Sequence, residues 1–131
     1  MAKIVSTPDA PGGSASVGGA FSYSQGVVAG GLIFVAGQGP FDPATGAVVG
    51  ETIQDQTGQC LRNVQAIVEA AGSSMGKVVS VTFILRDPGD FAGMNEEWAR
   101  WFPSDPPARQ GAKHPLEAPG VRISIAAIAE V

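Results

Sequence analysis

The carboxyl-terminal segment has the plainest pattern in the chain. Over residues 121–131, Val121, Ile123, Ile125, Ala127 and Ala129 fall on one side, and Arg122, Ser124, Ala126, Ile128 and Glu130 on the other. A period of two belongs to a β-strand, whose successive side chains point to opposite faces. A strand is therefore predicted, with one apolar face and one more mixed face. Residues 23–29 and 32–38 read as two extended segments separated by Gly30-Gly31, a spacing that favours a tight hairpin. Residues 42–46 carry turn chemistry in Pro43 and Gly46, and a short strand is expected at 47–49. The period then lengthens. Cys60, Leu61, Val64, Ile67, Val68 and Ala71 recur at helical spacing, which predicts a helix from a Thr52 cap, with Asp55 in its first turn, to a left-handed stop at Gly72. Residues 78–86 are β-branched and apolar, as in a buried strand. Asp87-Pro88-Gly89-Asp90 ends that strand, and a second helix runs from an Asp90 cap through Phe91, Met94, Trp98, Trp101 and Phe102, stopping before Pro103.

The order is strands, helix, strand, helix, then one strand or more. That is an α+β domain covering residues 1–131, with two helices packed on one face of a mixed sheet. Residues 1–20, with Pro11-Gly12-Gly13, read as a loose lead-in, and order is expected from about Phe21. The second face of the sheet would still carry many Ile, Val and Ala side chains, so self-association is the physical expectation.

Composition narrows the chemistry. The chain has 131 residues, 44% of them hydrophobic, and a formal charge of −4, enough apolar material for one core and no basic patch to attract nucleic acid. One cysteine and one histidine, Cys60 and His114, exclude an internal disulfide and a multi-Cys or paired-His metal site. Cys60 lies on the apolar helix face and is assigned to the core. Neither a signal sequence nor an apolar stretch of spanning length is visible, so no membrane association is expected and a cytoplasmic location is.

The candidate chemistry begins at Arg109, in Pro106-Pro107-Ala108-Arg109-Gln110-Gly111. A guanidinium offers donors in a planar fork that can engage both oxygens of a carboxylate, and a nearby glycine amide can approach a ligand without steric hindrance. Taken alone, an Arg after Pro-Pro is more often a solvated surface residue.

The wider succession shifts that balance. Tyr23-Ser24-Gln25, Leu32 through Gln38, Asp42-Pro43 through Gly46, Gln56-Thr57 through Asn63-Val64, Glu69 through Ser73, Asp90-Phe91-Ala92 through Asn95, Pro107-Ala108-Arg109 and Ile125 through Ala129, in this order, resemble the RidA (YjgF) family, also described as endoribonuclease L-PSP. The resemblance implies a chorismate-mutase-like fold and a homotrimer with clefts between subunits. It implies an enamine/imine deaminase that needs no cofactor and no metal: water attacks the iminium carbon of a 2-imino acid or enamine, leaving a 2-oxo acid and ammonium. Residue by residue it gives Arg109 the substrate carboxylate, Tyr23 the cleft wall, Gly37 a backbone N–H facing the ligand, and Asn95 the closure of the site from a helix. At Gly111, where many members have cysteine, only the backbone amide is inherited.

Two departures touch the chemistry. Ala36 stands where deaminating members carry serine, and Ser124 where they place the glutamate that orients water. A carboxylate can take a proton from water, whereas serine at neutral pH can only hydrogen-bond. Ser124 is thus a weaker catalytic candidate, with Tyr23 beside it, and His114 is a substitute base, although it alternates out of phase with Arg109 and Gly111. Besides the deaminase there are two other readings: a silent small-carboxylate sensor, which Ala36 and Ser124 favour, and a ribonuclease or translation inhibitor, which the acidic balance opposes.

Overall fold

The computed structural model describes residues 2–12 and 23–131. Its strands are β1 (Lys3–Val5), β2 (Gly26–Ala29), β3 (Leu32–Gln38), β4 (Val78–Leu85), β5 (Ala108–Lys113) and β6 (Ile123–Glu130), with helices α1 (Ile53–Ala70) and α2 (Phe91–Trp101). The strands form one sheet in the order β1-β2-β3-β6-β4-β5. Among the described residues only β4 and β5 pair in parallel, and α2 supplies the crossover that a parallel pair requires. The expected α+β class with a mixed sheet is the observed one, and the β2–β3 turn is the expected Gly30-Gly31, both at positive φ.

Both helices pack on one face. Cys60, Leu61, Val64, Ile67 and Val68 of α1 and Met94 and Trp98 of α2 form one core with Ile33, Val35, Val81, Phe83, Ile123 and Ile125 of the sheet. Burial pushes the Cys60 thiol well above its usual range, so it is a core residue and not a nucleophile. Thr52 caps α1 through Oγ1, which accepts the Asp55 N–H at 3.1 Å. At the other end Gly72 takes a φ of 84°, and the Ser73 and Gly72 amides return to the Val68 and Glu69 carbonyls, a Schellman stop. On the opposite face Phe34 is exposed and Ile84 and Ile128 are half-buried.

Four expectations need correction. The strand expected at 47–49 reduces to an isolated bridge between Phe41 and Val48. Amides of α1 take the carbonyls around it: Asn63 Nδ2 donates to Gly39 O and Phe41 O at 3.1 and 3.0 Å, and Gln56 Nε2 donates to Gly50 O at 3.1 Å. The lead-in is not all loose, because Lys3–Val5 pairs with β2 as an edge strand. Buried Gln25 fastens residues 7–11 behind that strand, accepting the Thr7 N–H at 2.7 Å and donating to Pro11 O at 2.8 Å; Phe21, the expected onset of order, lies outside the described residues. The last strand begins at Ile123 rather than Val121, since the Arg122 N–H is drawn to Gln56 Oε1 at 2.8 Å. Asp90 does not cap α2 with its side chain: its backbone is already helical, at φ −82° and ψ −2°, and its carboxylate faces Arg122 at 3.3 Å.

Candidate functional site

Arg109 lies on β5, in register with Val81 of β4, and so projects to the helical side of the sheet. Its Nη1 donates to Asn95 Oδ1 on α2 at 2.7 Å. Its Cζ lies 5.2, 5.5 and 5.0 Å from the ring centroids of Phe83, Phe91 and Trp98, within the range of cation–π attraction. Three aromatic faces and an amide hold the guanidinium, and among the described residues it makes no ion pair. Its charge is therefore positioned without being neutralised.

Gly111, two residues on, shares that face and pairs with Phe83. A β-carbon at 111 would stand 2.1 Å from Phe83 Cζ, too close for the ring where it lies, and glycine at this position avoids the clash. Phe83 occupies the space that a cysteine side chain would need.

Gly37 and Ser124 lie together elsewhere. A register shift between Val35 and Gln38 interrupts the β3–β6 ladder, and such bulges re-aim the backbone locally. A β-carbon at Gly37 would stand 3.1 Å from Ser124 Oγ, so the serine hydroxyl lies over the glycine. Ser124 pairs with Ile84 and alternates with buried Ile123 and Ile125. It faces the side of the sheet away from the helices, as does Ala126. Tyr23, exposed ahead of β2, borders a cavity of about 430 Å³ with Phe41 and Pro43. His114 is exposed just past β5, and its backbone N–H donates to Leu85 O at 3.0 Å.

The structure thus brings Arg109 together with Asn95 and Gly111, and Gly37 together with Ser124, but the sheet separates the two groups within one chain. The sequence did not mark Phe83, Phe91 and Trp98 as neighbours of Arg109. Phe91 and Trp98 share with Asn95 a helical stripe that reads as core, and nothing in the sequence of β4 sets Phe83 apart from its apolar neighbours. A larger cleft, about 460 Å³, lies by the start of α1 between Gln56, Asp90 and Arg122. Its cations are already engaged: Arg122 with Asp90, and Arg86 with the carbonyls of Leu116 and Ala118.

The family profile described as endoribonuclease L-PSP matches residues 14–131. A RutC family protein of Pyrococcus horikoshii is 43% identical, with 98% of each chain covered. The chain belongs to the RidA family. The 2-iminobutanoate/2-iminopropanoate deaminase of Salmonella typhimurium is 39% identical to this RidA-family chain, again over 98% of both. Among solved structures, Escherichia coli TdcF with bound serine superposes with a TM-score of 0.86 at 36% identity, covering 98% of each chain. The fold is that of RidA and YjgF structures. No helix among the described residues is long and apolar enough to cross a membrane.

Proposed function

We propose that the protein is an enamine/imine deaminase that hydrolyses reactive 2-imino acids to 2-oxo acids and ammonium. The observation that carries this reading is Arg109, a cation fixed by Asn95 and three aromatic rings with no carboxylate partner among the described residues. The planar fork takes the substrate carboxylate. The Salmonella relative named as a deaminase supports the reaction class.

Because Arg109 and Ser124 lie on opposite sides of their own sheet, a complete cleft takes its two halves from two copies, in keeping with a homotrimer. One copy contributes Arg109, Asn95 and the Gly111 amide; its neighbour contributes Gly37, Ser124 and Tyr23. Water adds to the iminium carbon, the carbinolamine collapses with cleavage of the C–N bond, and nitrogen leaves with the protons it has gained. Ser124 orients the water by hydrogen bonding without accepting its proton, so the rate rests on placement of an electrophilic substrate. General-base help is worth roughly 10²- to 10⁴-fold, and a slow deaminase is the consequence.

The hydroxyl at Ser124, in place of a carboxylate, favours one second reading: a sensor that binds small 2-oxo acids without turnover. Imines generated in situ by an amino-acid oxidase separate the two. Loss of imine faster than in buffer alone supports the deaminase; an unchanged lifetime together with saturable 2-oxo acid binding supports the sensor. Sharing of the site is tested by mixing Arg109→Ala with Gly37→Trp protein, each lesion spoiling a different half. Recovery of binding on co-assembly supports sites between copies, and no recovery from a mixed assembly argues against them.

A further inference from the structure

A cavity of about 350 Å³ opens beside the Arg109 cage, walled by Phe83, Leu85, Pro88, Phe91, Gly111 and Lys113. Two of its walls, Phe83 and Phe91, are rings that flank the guanidinium, 5.2 and 5.5 Å from Cζ, so the cavity adjoins the clamp. Its lining is almost wholly apolar, and its only charged member is Lys113, at the exposed end of β5. Phe91 keeps 43% of its surface exposed, with its ring centroid 6.0 Å from that of Phe83.

The absence of a side chain at 111 shapes the space. Phe83 leans across β5 where a residue-111 side chain would stand, so the ring and the strand at Gly111 both border the cavity. Arg109, Gly111 and Lys113 share one face of β5 at a rise of about 3.3 Å per residue. A molecule whose carboxylate is held by Arg109 can therefore lay an apolar group of several carbons along Gly111 toward Lys113. Sites of this volume accommodate small organic ligands.

Resting on the deaminase reading of Arg109, we infer that the cavity is the side-chain pocket of the site and that the chain prefers 2-imino acids with large apolar, above all aromatic, side chains. An aromatic substituent would meet Phe83 and Phe91 in the offset or edge-on arrangements that rings favour, while a methyl or ethyl group would leave most of the cavity to water. Lys113 covers the outer end with its aliphatic stem.

The test is titration calorimetry with the stable 2-oxo acid products, pyruvate and phenylpyruvate, on the parent protein and on Phe91→Ala and Arg109→Ala. The parent is expected to bind phenylpyruvate at least tenfold more tightly than pyruvate. In Phe91→Ala, where an exposed ring is trimmed and folding is checked by circular dichroism, that ratio falls at least fivefold. Equal affinities of the parent for the two acids, or a ratio unchanged by Phe91→Ala, would overturn the pocket and leave the clamp standing. Binding of both acids that survives Arg109→Ala would instead overturn the clamp itself. A second comparison, imine consumption with phenylalanine against alanine as the oxidase substrate, should show the same order, and the reverse order contradicts the inference.

Discussion

The molecule uses arginine in two contrasting ways at two of its clefts. By the start of α1, Arg122 faces Asp90 at 3.3 Å, and Arg86 donates to the carbonyls of Leu116 and Ala118. Both side chains tie the segment before β6 to the rest of the fold. On β5, Arg109 donates to one amide oxygen and lies against ring faces, which leaves most of its fork for a ligand. The larger cleft is thus the structural one. An arginine whose donors already meet a carboxylate or two chain carbonyls serves the fold, whereas one with donors left over can still grip a ligand.

This contrast can be broken by exchanging the lesions. Removing the fork in Arg109→Ala should weaken 2-oxo acid binding by roughly 10- to 100-fold, the scale of one or two charge-assisted hydrogen bonds, while the melting temperature barely moves. Calorimetric titration and a thermal melt on the same sample check both halves. Arg86→Ala should do the reverse, costing about 1.5–3 kcal/mol of stability through the loss of its charged hydrogen bonds to chain carbonyls with ligand affinity preserved, as measured by urea unfolding. Gly111→Cys sharpens the comparison on the β5 side: the new side chain meets Phe83, and overpacking of that kind costs about 1–3 kcal/mol. A variant as stable as the parent would mean that the Phe83 ring moves aside freely. Arg122→Ala should give the smallest of the arginine effects, under about 1 kcal/mol, because the pair is partly solvated.

Cys60 supplies a pH dependence with a definite sign. Its folded-state pKa is raised by burial, so the neutral thiol favours the folded state below the unfolded thiol value and that contribution is lost as pH rises above it. Stability measured by urea unfolding should fall above about pH 8.5, and less steeply in Cys60→Ala. Alkylating reagents should leave the thiol of the folded protein untouched.

Much of the fold was legible because its signals are local. The Gly30-Gly31 turn, the α1 caps at Thr52 and Gly72 and the alternation in β6 each come from a few neighbouring residues. The elements that escaped depend on distant partners. β5 reads Ala-Arg-Gln-Gly-Ala-Lys, with no apolar alternation, and is a strand because β4 offers it a parallel edge. β1 is held in place by Gln25 bonding to the segment after it, a task that polarity alone does not announce. At the site, the chemistry of Arg109 was visible from its fork and its proline and glycine neighbours, and the family resemblance added Asn95, Gly37 and Ser124. The aromatic cage was hidden because Phe83, Phe91 and Trp98 come from two elements and look like core. Equally hidden was the division of the site: the alternation in β6 separates Ser124 from Ile123, but only the β4–β5 register shows that Arg109 faces the other way.

The most direct measurement is titration of a 2-oxo acid into the parent protein and into Arg109→Lys, which keeps the charge and removes the planar fork. Affinity at least tenfold weaker for Arg109→Lys, with the fold unchanged by circular dichroism, is the predicted result. Equal affinity for the two proteins would contradict Arg109 as the carboxylate clamp.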